Sequence, residues 1–234
     1  MKFLSVLLLA FSLTFATQTA DESDEFESEF KSTSEVFDPL SGYNRAMTSF
    51  NDFMFKNVLD PVVSGYRYVM PEEGRSAVGN FFDNLLYPVR LINNLLQLKF
   101  RAAGDETLRF IANTIVGFAG ISDVATKYYN IPRHDEDLGQ TLGYWGVGSG
   151  FHIVLPFFGP SNLRDLVGMS GDYFAKPLSY VDPTSAELAL KSYEEGNKLS
   201  LNPDMYKNLK KDAVDLYPFL RDAYEQRRER LIKE

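Results

Sequence analysis

The segment Leu108–Ile121 constrains this chain most. Of its fourteen residues only Arg109, Asn113 and Thr114 are polar, and Gly117 and Gly120 lie among the rest. A helix on the surface of a water-soluble domain shows more polar residues over four turns, so the segment is either buried on all sides or meets lipid. The run Ser76 to Phe100 poses the same alternative in more detail. Val78, Phe81, Phe82, Leu85, Leu86, Val89, Ile92, Leu95 and Leu96 fall on one broad stripe at helical spacing, interrupted at Pro88. The opposite face holds Asn80, Asp83, Asn84, Arg90, Asn93, Asn94 and Gln97, mostly uncharged amides. Under the lipid alternative, Phe81, Phe82, Leu85, Leu86, Ile92, Leu95 and Leu96 are the stripe residues that would face a membrane.

Periodicity predicts helices elsewhere and little else, so the fold class is mainly α. From Gly42, Tyr43, Met47, Phe50 and Met54 recur at three- and four-residue steps. A second helix is expected to break near Asp60-Pro61, and Met70-Pro71 ends the stretch from Val62 to Val69. Helices return at Leu163 to Phe174 and from Pro183, with Asp182 as N-cap, to about Glu195 before Gly196. Pro203 and Asp204 open the final stretch. Between these lies Gly143 to Pro160, with five glycines, two prolines and Tyr144, Trp145, Phe151, Phe157 and Phe158. It cannot be a regular helix and is too apolar for an ordinary surface loop. A long apolar loop must be buried against protein or sit at an interface where aromatic rings are comfortable.

The N-terminus reads as a targeting segment. Met1-Lys2 supplies one positive charge, Phe3 to Phe15 is apolar apart from Ser5, Ser12 and Thr14, and Thr14-Phe15-Ala16 offers small residues at −3 and −1. Residues 1–16 are therefore expected to be a signal peptide, since thirteen helical residues span only roughly 20 Å. Between Asp21 and Asp38 lie eight acidic residues against Lys31 alone, so much of the net charge of −8 belongs to one stretch. Residues 17–36 read as an acidic disordered linker and 37–234 as one helical domain. The negative charge opposes a nucleic-acid partner bound through phosphates. The 234 residues include no cysteine, which removes disulfides, thiolate metal sites and a lipid-modified cysteine.

Tests for chemistry return nothing. His134 and His152 have no partner at metal-ligand spacing, so no metal is expected. The acids of His134-Asp135-Glu136-Asp137 are expected to cap backbone amides in a loop, and His152 to be structural. Gly148-Ser149-Gly150 lacks the spacing of a serine nucleophile elbow. Neither a phosphate loop nor a dinucleotide fingerprint is present, so no cofactor and no enzyme activity are expected.

Asp38-Pro39-Leu40-Ser41-Gly42-Tyr43-Asn44-Arg45-Ala46-Met47, followed by Phe50-Asn51-Asp52, resembles the opening signature of the MlaA (VacJ) family of outer-membrane phospholipid-transport proteins. Further blocks resemble the family in its order: Val78 to Leu85, Arg109 to Thr114, Ile121 to Ala125, Asp137 to Gly143, Leu155 to Ser161, Leu163-Arg164-Asp165, and Tyr217 with Arg221 to Tyr224 and Gln226 to Arg228. Coverage runs from about Asp38 to about Leu231.

The resemblance implies a ring-like arrangement of amphipathic interfacial helices around a central channel, with long Gly/Pro/aromatic loops, lying at the periplasmic face of the outer membrane. It implies a function: removing mislocalised outer-leaflet phospholipid through the channel and passing it to a soluble periplasmic carrier, so maintaining lipid asymmetry. The implied partners are phospholipids, a trimeric outer-membrane porin and that carrier. Asn44, Arg45, Phe50 and Asn51, together with Tyr144, Trp145, Val147, Phe151 and Phe157 in the apolar loop, are the candidates for lipid or channel contact. Arg45 is the local candidate for a phosphate contact, because a guanidinium suits phosphate geometry. Family members are typically anchored through a cysteine after the signal peptide, so this chain is expected to be held by its own apolar surface or a porin. A soluble periplasmic structural or lipid-binding protein without a channel is the alternative, and an envelope hydrolase a third.

Overall fold

Side-chain caps set the start of four helices, at Asp123, Asp137, Asn162 and Asp215, and tertiary contacts carry other helices past their weak points. The computed structural model describes residues 36–234. The segments read as signal peptide, 1–16, and acidic linker, 17–36 apart from its last residue, lie outside the described residues.

Helix α1, Ser41–Met54, does not end at a break. It widens into a π-helical turn, Phe55–Leu59, and resumes as α2, Asp60–Val69, with Pro61 in the first turn. The expected break at Asp60-Pro61 is thus a change of register. Proline lacks the N–H that would bond back four residues, and the wider turn absorbs that lost bond. Helices α3, Glu72–Leu85, and α4, Tyr87–Leu96, meet at Leu86, with Pro88 in the first turn of α4. Helix α5, Phe100–Ile115, begins earlier and ends earlier than the apolar run that marks it. Beyond Ile115, Phe118 and Ala119 take left-handed backbone conformations and turn the chain.

Two short helices follow, α6, Val124–Tyr129, and α7, Leu138–Tyr144. Asp137 caps α7 with a complete capping box: its carboxylate accepts from Gln140 N at 2.8 Å, and Asp137 N donates to Gln140 Oε1 at 3.0 Å. The stretch Gly143–Pro160, expected as an irregular loop, holds most of a β-hairpin. Strand β1, His152–Leu155, pairs antiparallel with β2, Gly159–Asn162, in the register His152 with Asn162 and Leu155 with Gly159. Val154 and Ile153 are β-branched, and Gly159 adopts the left-handed backbone that the tight return requires.

Asn162 then caps α8, Leu163–Asp172, accepting from Asp165 N at 2.9 Å. Short 3-10 turns lead to α9, Thr184–Leu201, followed by α10, Met205–Asp212, and α11, Leu216–Lys233. Helix α9 differs from expectation at both ends. Pro183 is extended and serves as the N-cap, its carbonyl accepting from Ala186 N at 2.8 Å. The helix also runs through Gly196, whose cost of about 1 kcal/mol is offset because Asn197 is buried and donates to the Arg75 carbonyl at 2.9 Å.

The interior is largely polar. Asn44, Asn93, Asn94, Gln97, Glu106, His152 and Asn162 are all buried to within 1% of completely, whereas few large apolar side chains are. Phe110 stacks on Tyr87, and Val154, Val89 and Phe82 fill apolar gaps, but polar side chains join α4, α5, α7, α8 and α11.

Candidate functional site

Two features define the candidate site: a hydrogen-bonded interior and an outer surface of exposed apolar side chains. In α4 and α5 the helical period puts them on opposite faces. Arg90, Asn93, Asn94 and Gln97 are one inward strip, and Ala102, Glu106, Arg109 and Asn113 another, at steps of three and four. Glu106 is fully shielded. It meets Arg90 Nε at 2.6 Å and accepts His134 N at 2.7 Å. Arg109 donates to Asp123 at 2.9 Å, to Thr126 Oγ1 at 2.8 Å and to the Ile131 carbonyl at 2.6 Å. Asn113 donates to Asp123 at 3.0 Å and accepts Ala125 N at 2.9 Å. Burial alone would raise the Asp123 pKa, but Thr126, Asn113 and Arg109 hold it below the ordinary carboxylate value.

Farther along, Asn93 joins three elements. It donates to Asp172 at 2.9 Å and accepts Thr141 Oγ1 at 2.8 Å, while the second Asp172 oxygen accepts Leu138 N at 3.0 Å. Burial dominates at Asp172 and raises its pKa despite these bonds. Arg228 on α11 reaches Asp137 at 2.6 and 2.8 Å and Asp165 at 2.9 Å, and Tyr224 donates to Asp165 at 2.7 Å. Asp165 is also desolvated, yet Arg228, Tyr224 and Arg164 hold its pKa below the ordinary value.

The hairpin is fixed by two amides seven residues apart on one face of α1. Asn44 Oδ1 accepts Val154 N at 2.8 Å and its Nδ2 donates to the His152 carbonyl at 3.1 Å. Asn51 Oδ1 accepts Phe157 N at 2.8 Å and its Nδ2 donates to the Leu155 carbonyl at 2.9 Å. Each amide bonds as a peptide group of a neighbouring strand would, so α1 covers the hairpin edge. Below it His152 Nδ1 lies 2.8 Å from Glu225, whose other oxygen accepts Asn162 Nδ2 at 3.1 Å.

These geometries place the residues expected to contact lipid. Asn44 and Asn51 are committed to the hairpin backbone. Phe50 packs edge-on against Phe157, ring centroids 5.3 Å apart. Arg45 is exposed but pairs with Asp215 at 2.6 Å and lies over the Tyr217 ring, so its guanidinium already has an anionic partner. Tyr144, Trp145, Val147 and Phe157 are exposed; Phe151 is half-buried. Trp145 Nε1 donates to the Leu96 carbonyl at 3.0 Å, joining that aromatic cluster to the apolar end of α4.

Of the stripe, Phe81, Ile92, Leu95 and Leu96 face outward and Leu85 and Leu86 are half-buried. Phe82 is a correction: it is 4% exposed and packs against Tyr193 of α9, because its position lies at the α3–α9 contact rather than on the outer face. The surface continues along α5 through Leu108, Ile111 and Ile115 to Val116, Phe118 and Ile121, with Ile115 at 75% and Phe118 at 78% exposure. No helix among the described residues is long and apolar enough to cross a membrane. Sequence reasoning missed Glu106, Arg164, Asp165, Glu225 and Arg228 as a connected interior. Only the capping pattern Asn162-Leu163-Arg164-Asp165 carried a local signal.

The family described as MlaA lipoprotein matches residues 36–231. The "Intermembrane phospholipid transport system lipoprotein MlaA" of Escherichia coli (strain K12) is 36% identical over 201 residues, which cover 81% of this chain and 76% of that protein. An uncharacterised protein of Rickettsia bellii (strain RML369-C) is 31% identical over 204 residues, 85% of this chain and 78% of its own length. A solved structure described as "Structural basis for maintenance of bacterial outer membrane lipid asymmetry" superposes with a TM-score of 0.70 at 31% identity, covering 83% of this chain and 98% of the other. The ordered sequence blocks, the polar interior and these likenesses agree: the chain belongs to the MlaA lipoprotein family.

Proposed function

We propose that this protein takes part in intermembrane phospholipid transport, removing misplaced outer-leaflet phospholipid and so maintaining outer-membrane lipid asymmetry. The observation that carries this reading is the inverted distribution of side chains. Glu106, Arg90, Arg109 and Asn93 are buried and paired, while Leu95, Leu96, Ile115, Phe118 and Trp145 are exposed. Such a surface costs free energy in water, about 25 cal/mol per Å², and gains it in lipid. No helix among the described residues is long and apolar enough to span a bilayer, which suits a protein lying in one leaflet. That apolar surface would hold the protein at the periplasmic face of the outer membrane, and the chain carries no cysteine for acylation.

In this reading the helices form a ring around an amphipathic channel through which a headgroup travels along polar groups. Tyr144, Trp145 and Val147 lie at its lipid boundary. Ile92, Leu95, Leu96 and Phe81 face the acyl chains, a trimeric porin seats the ring, and a soluble periplasmic carrier receives the lipid. No covalent chemistry is needed. The likeness to the Escherichia coli transport lipoprotein supports this assignment. The soluble alternative is disfavoured by the exposure of Ile115, Phe118 and Trp145, which a water-soluble core would enclose.

The test is fractionation with lipid analysis in a strain lacking the gene. The protein should partition with outer membrane and copurify with phospholipid, and its loss should raise outer-leaflet phospholipid. A protein found in the soluble periplasmic fraction without lipid, with unchanged outer-leaflet phospholipid in its absence, would overturn the assignment.

A further inference from the structure

A cleft of about 320 Å³ opens between the end of α7, the loop at Gly148-Ser149, the start of α8 and one face of α11. Its walls hold Arg164, Glu225, Arg228, Glu229, Ile232 and Lys233. Most of these charges are already used. Arg228 is shared between Asp137 and Asp165, and Glu225 between His152 and Asn162. Arg164 differs. It is 7% exposed, its Nε donates to Asp165 at 3.0 Å, and among the described residues neither terminal nitrogen donates a hydrogen bond to protein. A Cβ on Gly143 would come within 3.2 Å of its Nη1, so the missing side chain there leaves the guanidinium room. A side chain this enclosed presents its terminal donors to the open cleft with no protein acceptor, so an acceptor from outside can take the place of solvent there.

The remaining groups choose among acceptors. Glu229 forms no ion pair among the described residues and lies four positions before Lys233 on α11. Counted with Asp137 and Asp165, the cluster carries four carboxylates against Arg164, Arg228 and Lys233, a balance that repels a bare dianion. A phosphodiester followed by an ammonium group suits it, with the phosphate on the Arg164 fork and the ammonium beside Glu229. Gly143 and Gly148 both line the cleft, and the segment between them carries exposed Tyr144, Trp145 and Val147, a surface for acyl chains beside the headgroup.

We propose that this cleft is a headgroup site for a zwitterionic, amine-bearing phospholipid, with Arg164 as the phosphate ligand and Glu229 as the ammonium ligand. The proposal deepens the transport reading and rests on it for the lipid source.

The test measures binding to the full protein in detergent with two soluble probes, dihexanoylphosphatidylethanolamine and dihexanoylphosphatidylglycerol, with inorganic phosphate as competitor. The ethanolamine lipid should bind at least fivefold more tightly than the glycerol lipid, and millimolar phosphate should not displace it. Arg164→Gln should weaken both lipids about tenfold. Because that side chain also holds Asp165, Gly148→Leu provides a second route. Gly148 lines the cleft and a Cβ there meets nothing within 4 Å, so a leucine can start at its edge without a clash and should obstruct binding with unchanged melting. Glu229→Gln should remove only the preference for the amine. Equal binding of the two lipids, full displacement by phosphate, or wild-type binding by Gly148→Leu would each overturn the proposal. Outer-leaflet phospholipid in cells separates the two readings. A transport defect in the deletion strain with no lipid in the cleft defeats this site alone, whereas lipid in the cleft without any cellular defect defeats the transport reading.

Discussion

Arg90 Nε lies 2.6 Å from Glu106 Oε2 between α4 and α5, with Glu106 wholly shielded, while Ile115 on the same α5 is 75% exposed. This pair sets the logic of the fold. In a water-soluble helix the two environments would be exchanged. Here the cost of burying the ions is met by their mutual attraction and by the hydrogen bonds to the Asp83 carbonyl and His134 N.

Removing one member should expose that cost. Glu106→Ala leaves the buried Arg90 Nε and His134 N without their hydrogen-bond acceptor, and should destabilise the protein by about 3–5 kcal/mol. Replacing both partners, Arg90→Met with Glu106→Leu, should recover most of the loss. Denaturant unfolding in detergent measures both, and a single-variant loss below about 1 kcal/mol would show that the pair is inessential.

The outer surface should behave oppositely. Ile111→Ser with Ile115→Ser should leave unfolding in detergent within about 1 kcal/mol of wild type. Its partitioning into phospholipid vesicles should fall about tenfold or more, because each side chain contributes about 1–2 kcal/mol when lipid covers it. Unchanged flotation with vesicles contradicts the lipid-facing assignment of α5.

The hairpin clamp can be separated from lipid contact. Asn44→Ala deletes the acceptor for Val154 N and the donor to the His152 carbonyl, so a loss of about 2–3 kcal/mol is expected. Amide exchange at Val154 should quicken more than at residues of α9. Protection equal to wild type would mean that the hairpin needs no clamp.

Acid sensitivity follows from Asp165. Its folded pKa lies below the ordinary 3.8, so it contributes stability that is present above pH 3.8 and lost as the pH falls through the lower folded value. Asp165→Asn should therefore melt below wild type by a constant margin between pH 5 and 7, roughly independent of pH well above the unfolded value. That margin should shrink below pH 3.8. Melting curves across this range check the sign, and a margin that widens in acid would contradict it.

Val147→Gln addresses the aromatic segment. Val147 is exposed, so its change should shift stability by no more than about 0.5 kcal/mol while impairing lipid transport. A loss of stability above about 2 kcal/mol would make the segment a core plug instead.

The sequence alone determined the helical class, because apolar steps of three and four, and capping acids such as Asp137, act within a few residues. It also separated the Leu95 and Leu96 face from the Asn93 and Asn94 face of α4. What it left open was which face looks inward, since periodicity reports that two faces differ and says nothing of what covers each. Tertiary structure decided that. It turned Phe82 inward against Tyr193, assigned Asn44 and Asn51 to the hairpin, and carried α9 through Gly196 by way of Asn197. It also gathered Asp137, Arg164, Asp165 and Arg228 from segments as much as 91 residues apart. Pairing over such distances depends on the packing of whole helices, which no local spacing encodes.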